Sequence, residues 1–145
     1  MRLLASTDFA LRLLMLLAHQ TEDQPLSVET LSRLLGGLSR NHLHKIVQSL
    51  SGMGLVRTIR GNGGGVVLAI APNKIKIGSL IATLEGDQAV VECFREDGGC
   101  CTLAPNCRLK GFVGGARSNF YSDLDQHTIA DCLPKKPTGM RSHPH

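Results

Sequence analysis

The chain has 145 residues and a formal net charge of +4, with 42% apolar residues but only 3% aromatic and no tryptophan. That length is about one domain, and so few rings point to a core of Leu, Ile, Val and Ala, hence to helices rather than a β-sandwich. A charged fraction of 19% excludes wholesale disorder, and no stretch reaches the ~18 uninterrupted apolar residues of a membrane helix.

The positive charge is concentrated at the front. Residues 1–76 hold nine Lys or Arg against four acids, a net +5, whereas residues 77–145 hold seven against eight, a net −1. A polyanionic partner for the front half and an ordinary basic surface are both consistent with that split. The leucine-rich opening resembles a secretory signal, but Asp8 and Arg12 interrupt it and no small-residue cleavage site follows. A cytoplasmic chain is therefore expected, where clustered cysteines point to metal or redox chemistry rather than disulfides.

Residues 7–19 read as a helix apolar nearly all round, capped by Ser6 or Thr7, with Asp8 in its positive first turn. Residues 27–35 form the next, with Ser27 and Thr30 as a cap pair and Leu26, Leu31, Leu34 and Leu35 as its apolar face. Gly36-Gly37 supplies the turn. Ser39 caps a third helix that runs to about Met53. Its Leu43, Ile46, Val47 and Leu50 fall at i, i+3, i+4 and i+7, one buried stripe.

Two helices joined by a short glycine-containing turn make a helix-turn-helix. The second helix of that motif enters the major groove with its N-terminal residues at the bases. Here those residues are Ser39, Arg40, Asn41, His42, His44 and Lys45. Arg grips guanine bidentately, Asn grips adenine, and Ser or Lys holds phosphate. Two β-type runs follow, 55–60 and 66–70, joined by the tip Gly61-Asn62-Gly63-Gly64-Gly65. This basic-flanked hairpin turns the motif into a winged helix, with Arg57 and Arg60 able to reach the DNA backbone or minor groove and Asn62 at the tip helping to position the wing. The glycine tip lacks the Lys-Ser/Thr of a phosphate-binding nucleotide loop and precedes no helix.

Residues 75–85 read as a short helix. Beyond it, Cys93, Cys100, Cys101 and Cys107 lie within fifteen residues. No pair has the C-x2-C spacing of a zinc site. Three thiolates in a glycine-bearing loop suit an iron–sulfur cluster, with a fourth ligand from elsewhere; a set of ordinary thiols in a surface loop is the alternative, and several reactive thiols so close together favour the metal. Residues 105–126 are helical by period, with Leu109, Phe112, Val113, Ala116, Phe120 and Leu124 as one stripe. About twenty residues span roughly 30 Å, too long for so small a domain to cover, so a second copy is expected against this helix. Cys107 falls in its first turn. Residues 128–133 make a last helical turn, and 134–145 a disordered tail. The expected organisation is a winged helix-turn-helix over 1–76, a linker helix and cysteine loop over 77–108, and a dimerisation helix over 105–133. No Ser-His-Asp or Cys-His set has catalytic spacing, so an enzyme is not expected.

Taken together, these segments resemble the nitric-oxide-sensing repressors of the Rrf-two family of winged-helix iron–sulfur regulators. The residues that carry the resemblance are Met1-Arg2-Leu3, Ser6-Thr7-Asp8-Phe9-Ala10-Leu11-Arg12, Ser39-Arg40-Asn41-His42-Leu43 with Lys45, the wing Arg60-Gly61-Asn62-Gly63-Gly64-Gly65, Cys101-x5-Cys107-Arg108-Leu109-Lys110, and the ending Leu124-Asp125-x2-Thr128-Ile129-Ala130-Asp131. It spans about residues 1–133. The resemblance implies a homodimer that binds double-stranded operator DNA while its cluster is intact, with nitric oxide as the signal. It implies three cysteine ligands, Cys93, Cys101 and Cys107, and in some members an acid from the partner's first helix, here Asp8 of the partner subunit. A 4Fe-4S cluster is expected ahead of a 2Fe-2S one. The Cys100-Cys101 doublet departs from the family pattern. Cys101 is assigned as the middle ligand because it keeps the x5 spacing to Cys107, and because adjacent side chains of an extended chain point opposite ways. An iron- or redox-responsive regulator is the nearest alternative. A small iron–sulfur electron carrier would need neither the helix-turn-helix nor the wing.

Overall fold

Helix α1 (Ala5–His19) is the first element of the computed structural model, which describes residues 2–20, 24–86, 88–103 and 106–134. Residues 135–145 of the expected tail lie outside that set. Helix α1 starts earlier than its sequence predicts, and neither Ser6 nor Thr7 caps it. The cap position is Leu4, without a side-chain cap. A tertiary contact sets this entry instead: the Leu4 amide donates to the buried Glu85 carboxylate at 3.0 Å, while the Leu4 carbonyl accepts from the Asp8 amide at 3.1 Å. Thr7 falls in register with Ala10, Leu14 and Leu17 and is buried with them. Its hydroxyl finds no hydrogen-bond partner among the described residues. The helix is also less enclosed than expected, since Met15 and Leu16 are only half-buried and Arg12 is exposed.

Helices α2 (Val28–Leu34) and α3 (Arg40–Gly52) form where their caps require. Ser27 accepts from the Thr30 amide at 3.1 Å and Ser39 from the His42 amide at 3.3 Å. Gly36 and Gly37 both adopt positive φ, which links the two helices tightly. The stripe of Leu43, Ile46, Val47 and Leu50 is buried as its period demands. Leu34 is the exception in α2: it is 50% exposed. It sits in the last turn, at the edge of a shallow apolar groove with Met15, Leu16 and Leu133.

Strands β1 (Val56–Ile59) and β2 (Gly65–Leu68) pair antiparallel, Val56 opposite Leu68 and Ile59 opposite Gly65. Leu26 adds a short bridge to Val66 with bonds of 3.0 and 2.9 Å. A Cβ on Gly65 would collide with the Leu26 carbonyl, so only glycine permits this approach. The wing is thereby tied to the entrance of α2.

Helix α4 (Ile77–Glu85) begins two residues later than expected. Lys76 is extended and bridges Thr128, with the Ile77 amide donating to the His127 carbonyl and the Ile129 amide to that of Ile75. Its Ile77, Leu80 and Ile81, together with Ile75 and Ile129, join the same buried cluster as α1 and α3. The final turn, Ile129–Cys132, carries a capping box between Thr128 and Asp131.

Helix α5 (Arg108–Leu124) is clamped to α4 at its C-terminal end. Asp125 accepts from the Ser79 amide at 2.6 Å and from the Ser79 hydroxyl at 2.9 Å. The bond from the Ser79 amide, then that from its hydroxyl, holds the Asp125 carboxyl below the usual carboxylate range. At Gly78 a Cβ would strike the Tyr121 carbonyl. Gly78→Ala is accordingly expected to destabilise the fold by about 1–3 kcal/mol through overpacking. Urea denaturation reads this, and an unchanged midpoint would contradict the close α4–α5 approach.

Candidate functional site

The first part of the site is the outer face of α3 beside the wing. With Leu43, Ile46 and Val47 buried, the helix turns Arg40, Asn41, His42, His44 and Lys45 to solvent, all exposed. Ser39 is also exposed, with its hydroxyl engaged as the cap. Arg57 stands on β1, and Arg60, Gly61 and Asn62 lie at the exposed wing tip, where the Gly64 amide closes the turn onto the Gly61 carbonyl at 3.1 Å. The structure thus places the expected nucleic-acid residues on two elements, α3 and the hairpin that follows it. One contact was not legible in the sequence: Arg40 pairs with Glu29, in the first turn of α2, at 3.3 Å.

The second part is the cysteine loop. Cys93 lies in the short turn Glu92–Phe94, and Cys107 occupies the N-cap position of α5 without a side-chain cap bond. The expected start at Pro105 lies outside the described residues, and Cys107 stands before the first turn of α5 rather than inside it. Its backbone is extended, so the helix begins at Arg108. The loop folds back on Glu92. The Cys100 amide donates to the Glu92 carboxylate at 3.3 Å, the Gly99 amide to Asp97 at 3.0 Å, and Gly98 and Gly99 take positive φ. A Cβ on Gly99 would collide with Glu92. The Phe94 ring reaches α5 at Gly114.

None of the five cysteines is in a disulfide. Cys93, Cys101 and Cys107 are half-buried, whereas Cys100 and Cys132 are exposed. Soft thiols on a closed glycine-bearing loop have the donor chemistry of an iron–sulfur site. Among the described residues, however, no three His, Cys, Asp or Glu side chains are gathered closely enough to hold a metal ion. Asp8, half-buried on α1, is engaged within its own helix: it pairs with Arg12 at 2.7 Å.

The third part is apolar. No residue of α5 is buried in the single chain, and Leu109 and Phe112 are 59% and 64% exposed. Leu103 and Val90, in the preceding loop, are exposed as well. No helix among the described residues is long and apolar enough to cross a membrane.

Comparison with known proteins finds relatives along most of the chain. Residues 3–135 match the Rrf2 family, described as an iron-dependent transcriptional regulator. The chain is 40% identical to the HTH-type transcriptional regulator NsrR of Halalkalibacterium halodurans over 133 residues, covering 92% of this chain and 90% of that one. It is 33% identical to the NsrR of Bacillus subtilis over 141 residues, covering 97% and 96%. Its fold is similar to that of CymR, the global cysteine regulator of B. subtilis, with a TM-score of 0.67, 28% identity, and coverage of 91% of this chain and 95% of that one.

Proposed function

The chain belongs to the Rrf2 family of transcriptional regulators, and from that premise we propose that it is a dimeric repressor whose hold on operator DNA depends on an iron–sulfur cluster that nitric oxide destroys. It is a regulator and not an enzyme. The observation that carries the DNA-binding part is the exposed row Arg40, Asn41, His44 and Lys45 on α3, flanked by Arg57 and Arg60 of the wing. In this reading Arg40 and Asn41 meet base edges, Ser39, His42, His44 and Lys45 meet bases or phosphates nearby, and Arg57, Arg60 and Asn62 position the wing. Arg40→Ala is expected to cost about 1–3 kcal/mol in binding and to blur the preference at one base pair. The probe is the duplex that the native full-length chain selects best from a randomised pool. Unchanged affinity and unchanged preference would overturn this docking.

Cys93, Cys101 and Cys107 would hold the cluster, preferably 4Fe-4S, with Asp8 of the partner subunit as fourth ligand. Nitric oxide is a strong ligand for iron, so a bound cluster supplies the reactive centre for the signal. The chain's own residues supply the linkage. Glu92 and Gly99 close the loop, Phe94 rests on α5 at Gly114, and the Asp125–Ser79 clamp joins α5 to α4. Thiols held or released in the loop thereby bear on the helix that would set the spacing of two α3 helices across half-sites one turn apart. The exposed Leu109 and Phe112 support a second copy as the cover of α5. The family's description as iron-dependent keeps an iron-responsive regulator as the second reading.

Asp8 has a competing, purely helical role, since an acid paired with Arg12 in a first turn needs no metal. Asp8→Ala is expected to weaken the helix by well under ~1 kcal/mol, yet to change the visible spectrum of the iron-loaded protein or its rate of reaction with nitric oxide. An identical spectrum and rate would return Asp8 to the helical role.

A further inference from the structure

Glu29 is an anion on the surface that, in the reading above, faces a polyanion. It lies in the first turn of α2, is 81% exposed at its side chain, and pairs with Arg40 at 3.3 Å. Together with Thr30, Ser32, Arg33 and Gly37 the pair lines an open groove between α2 and the start of α3. Arg40 is 66% exposed, so the pair is solvated and weak, and what the DNA offers decides whether it persists.

Resting on the reading of α3 as the base-contacting helix, we propose that Glu29 is a specificity-determining residue that steers Arg40 to a guanine edge and away from phosphate. A guanidinium carries five N–H donors in a planar fork. Bidentate contact with guanine O6 and N7 uses two of them and leaves donors free for the Glu29 carboxylate. Both guanine acceptors are neutral, so base contact and ion pair coexist. A phosphate taken by the same guanidinium would bring a second anion beside Glu29, and the two would repel. The carboxylate therefore penalises the sequence-independent use of Arg40 while buttressing its sequence-dependent use. Lys45 has no such carboxylate among the ion pairs of the described residues.

The test compares the native full-length chain with Glu29→Gln, Arg40→Ala and the double variant, each with an unchanged urea midpoint. The probes are the duplex selected best from a randomised pool and a shuffled duplex of the same length and composition. Glu29→Gln is expected to tighten binding to the shuffled duplex and to lower the selected-to-shuffled affinity ratio by about fivefold. The log-affinity against log-salt slope on the shuffled duplex is expected to steepen by about 0.9, one added phosphate contact. In the Arg40→Ala background, Glu29→Gln is expected to leave the ratio unchanged. If Arg40→Ala weakens selected binding but Glu29→Gln leaves the ratio unaltered, the steering role is overturned and the docking of α3 stands. A fall in ratio that persists without Arg40 would also overturn it, since Glu29 would then act on the DNA directly. If Arg40→Ala leaves selected binding intact, the docking of α3 and the steering role fall together.

Discussion

Cys101→Ser is expected to remove the iron–sulfur absorption of anaerobically purified protein and its operator binding with it, whereas Cys100→Ser is expected to retain both. The thiols are adjacent, yet their settings differ: Cys101 is half-buried like Cys93 and Cys107, and Cys100 is exposed. The Cys100 amide is engaged with Glu92, which pins the backbone just ahead of Cys101. Iron content and visible absorption read the outcome. Loss in Cys100→Ser with retention in Cys101→Ser would reverse the assignment, and equal retention would show that the slack at Gly98-Gly99 lets the thiols interchange.

Leu43→Ala is expected to lower folding free energy by about 2–5 kcal/mol, by lost burial and by the cavity left behind. Leu43 is fully buried in α3, in one cluster with Leu13 and Leu14 of α1, Leu31 of α2 and Val56 of β1. Set against a typical domain stability of about 5–15 kcal/mol, that loss threatens the fold itself. Leu34→Ala is expected to shift stability by no more than about 0.5 kcal/mol, because its side chain is half exposed already. A urea titration of both variants checks the contrast, and comparable losses would mean that the apolar groove around Leu34 is covered in solution.

The contrast between Leu43 and Leu34 also marks where local sequence pattern stops informing. The stripe of α3, its Ser39 cap, the Gly36-Gly37 turn and the hairpin are all set by neighbours within a few residues, so periodicity and turn chemistry reveal them. Leu34 matches the helical period, but it lies in the last turn of a seven-residue helix, beyond the reach of the core. The entry of α1 depends on Glu85, 81 residues away, and the seat of α5 on Ser79 and Asp125, 46 residues apart. No single-sequence period encodes contacts at such separations. The Arg40–Glu29 pair escaped for the same reason, because it joins two helices whose mutual rotation only the fold defines. For the cysteines, residue types and spacing were legible, whereas among the described residues no three such side chains are gathered closely enough to hold a metal ion. Asp8 is likewise paired within its own helix, with Arg12.

One titration reads the coupling between the cysteine loop and the α3 face. Nitric oxide is added stepwise and anaerobically to the iron-loaded full-length protein, with visible absorption and binding to the selected duplex followed in the same samples. Absorption and DNA binding are predicted to fall together, over the same equivalents of nitric oxide per cluster. Binding that persists undiminished after the absorption is gone would mean that the cluster does not control the α3 face.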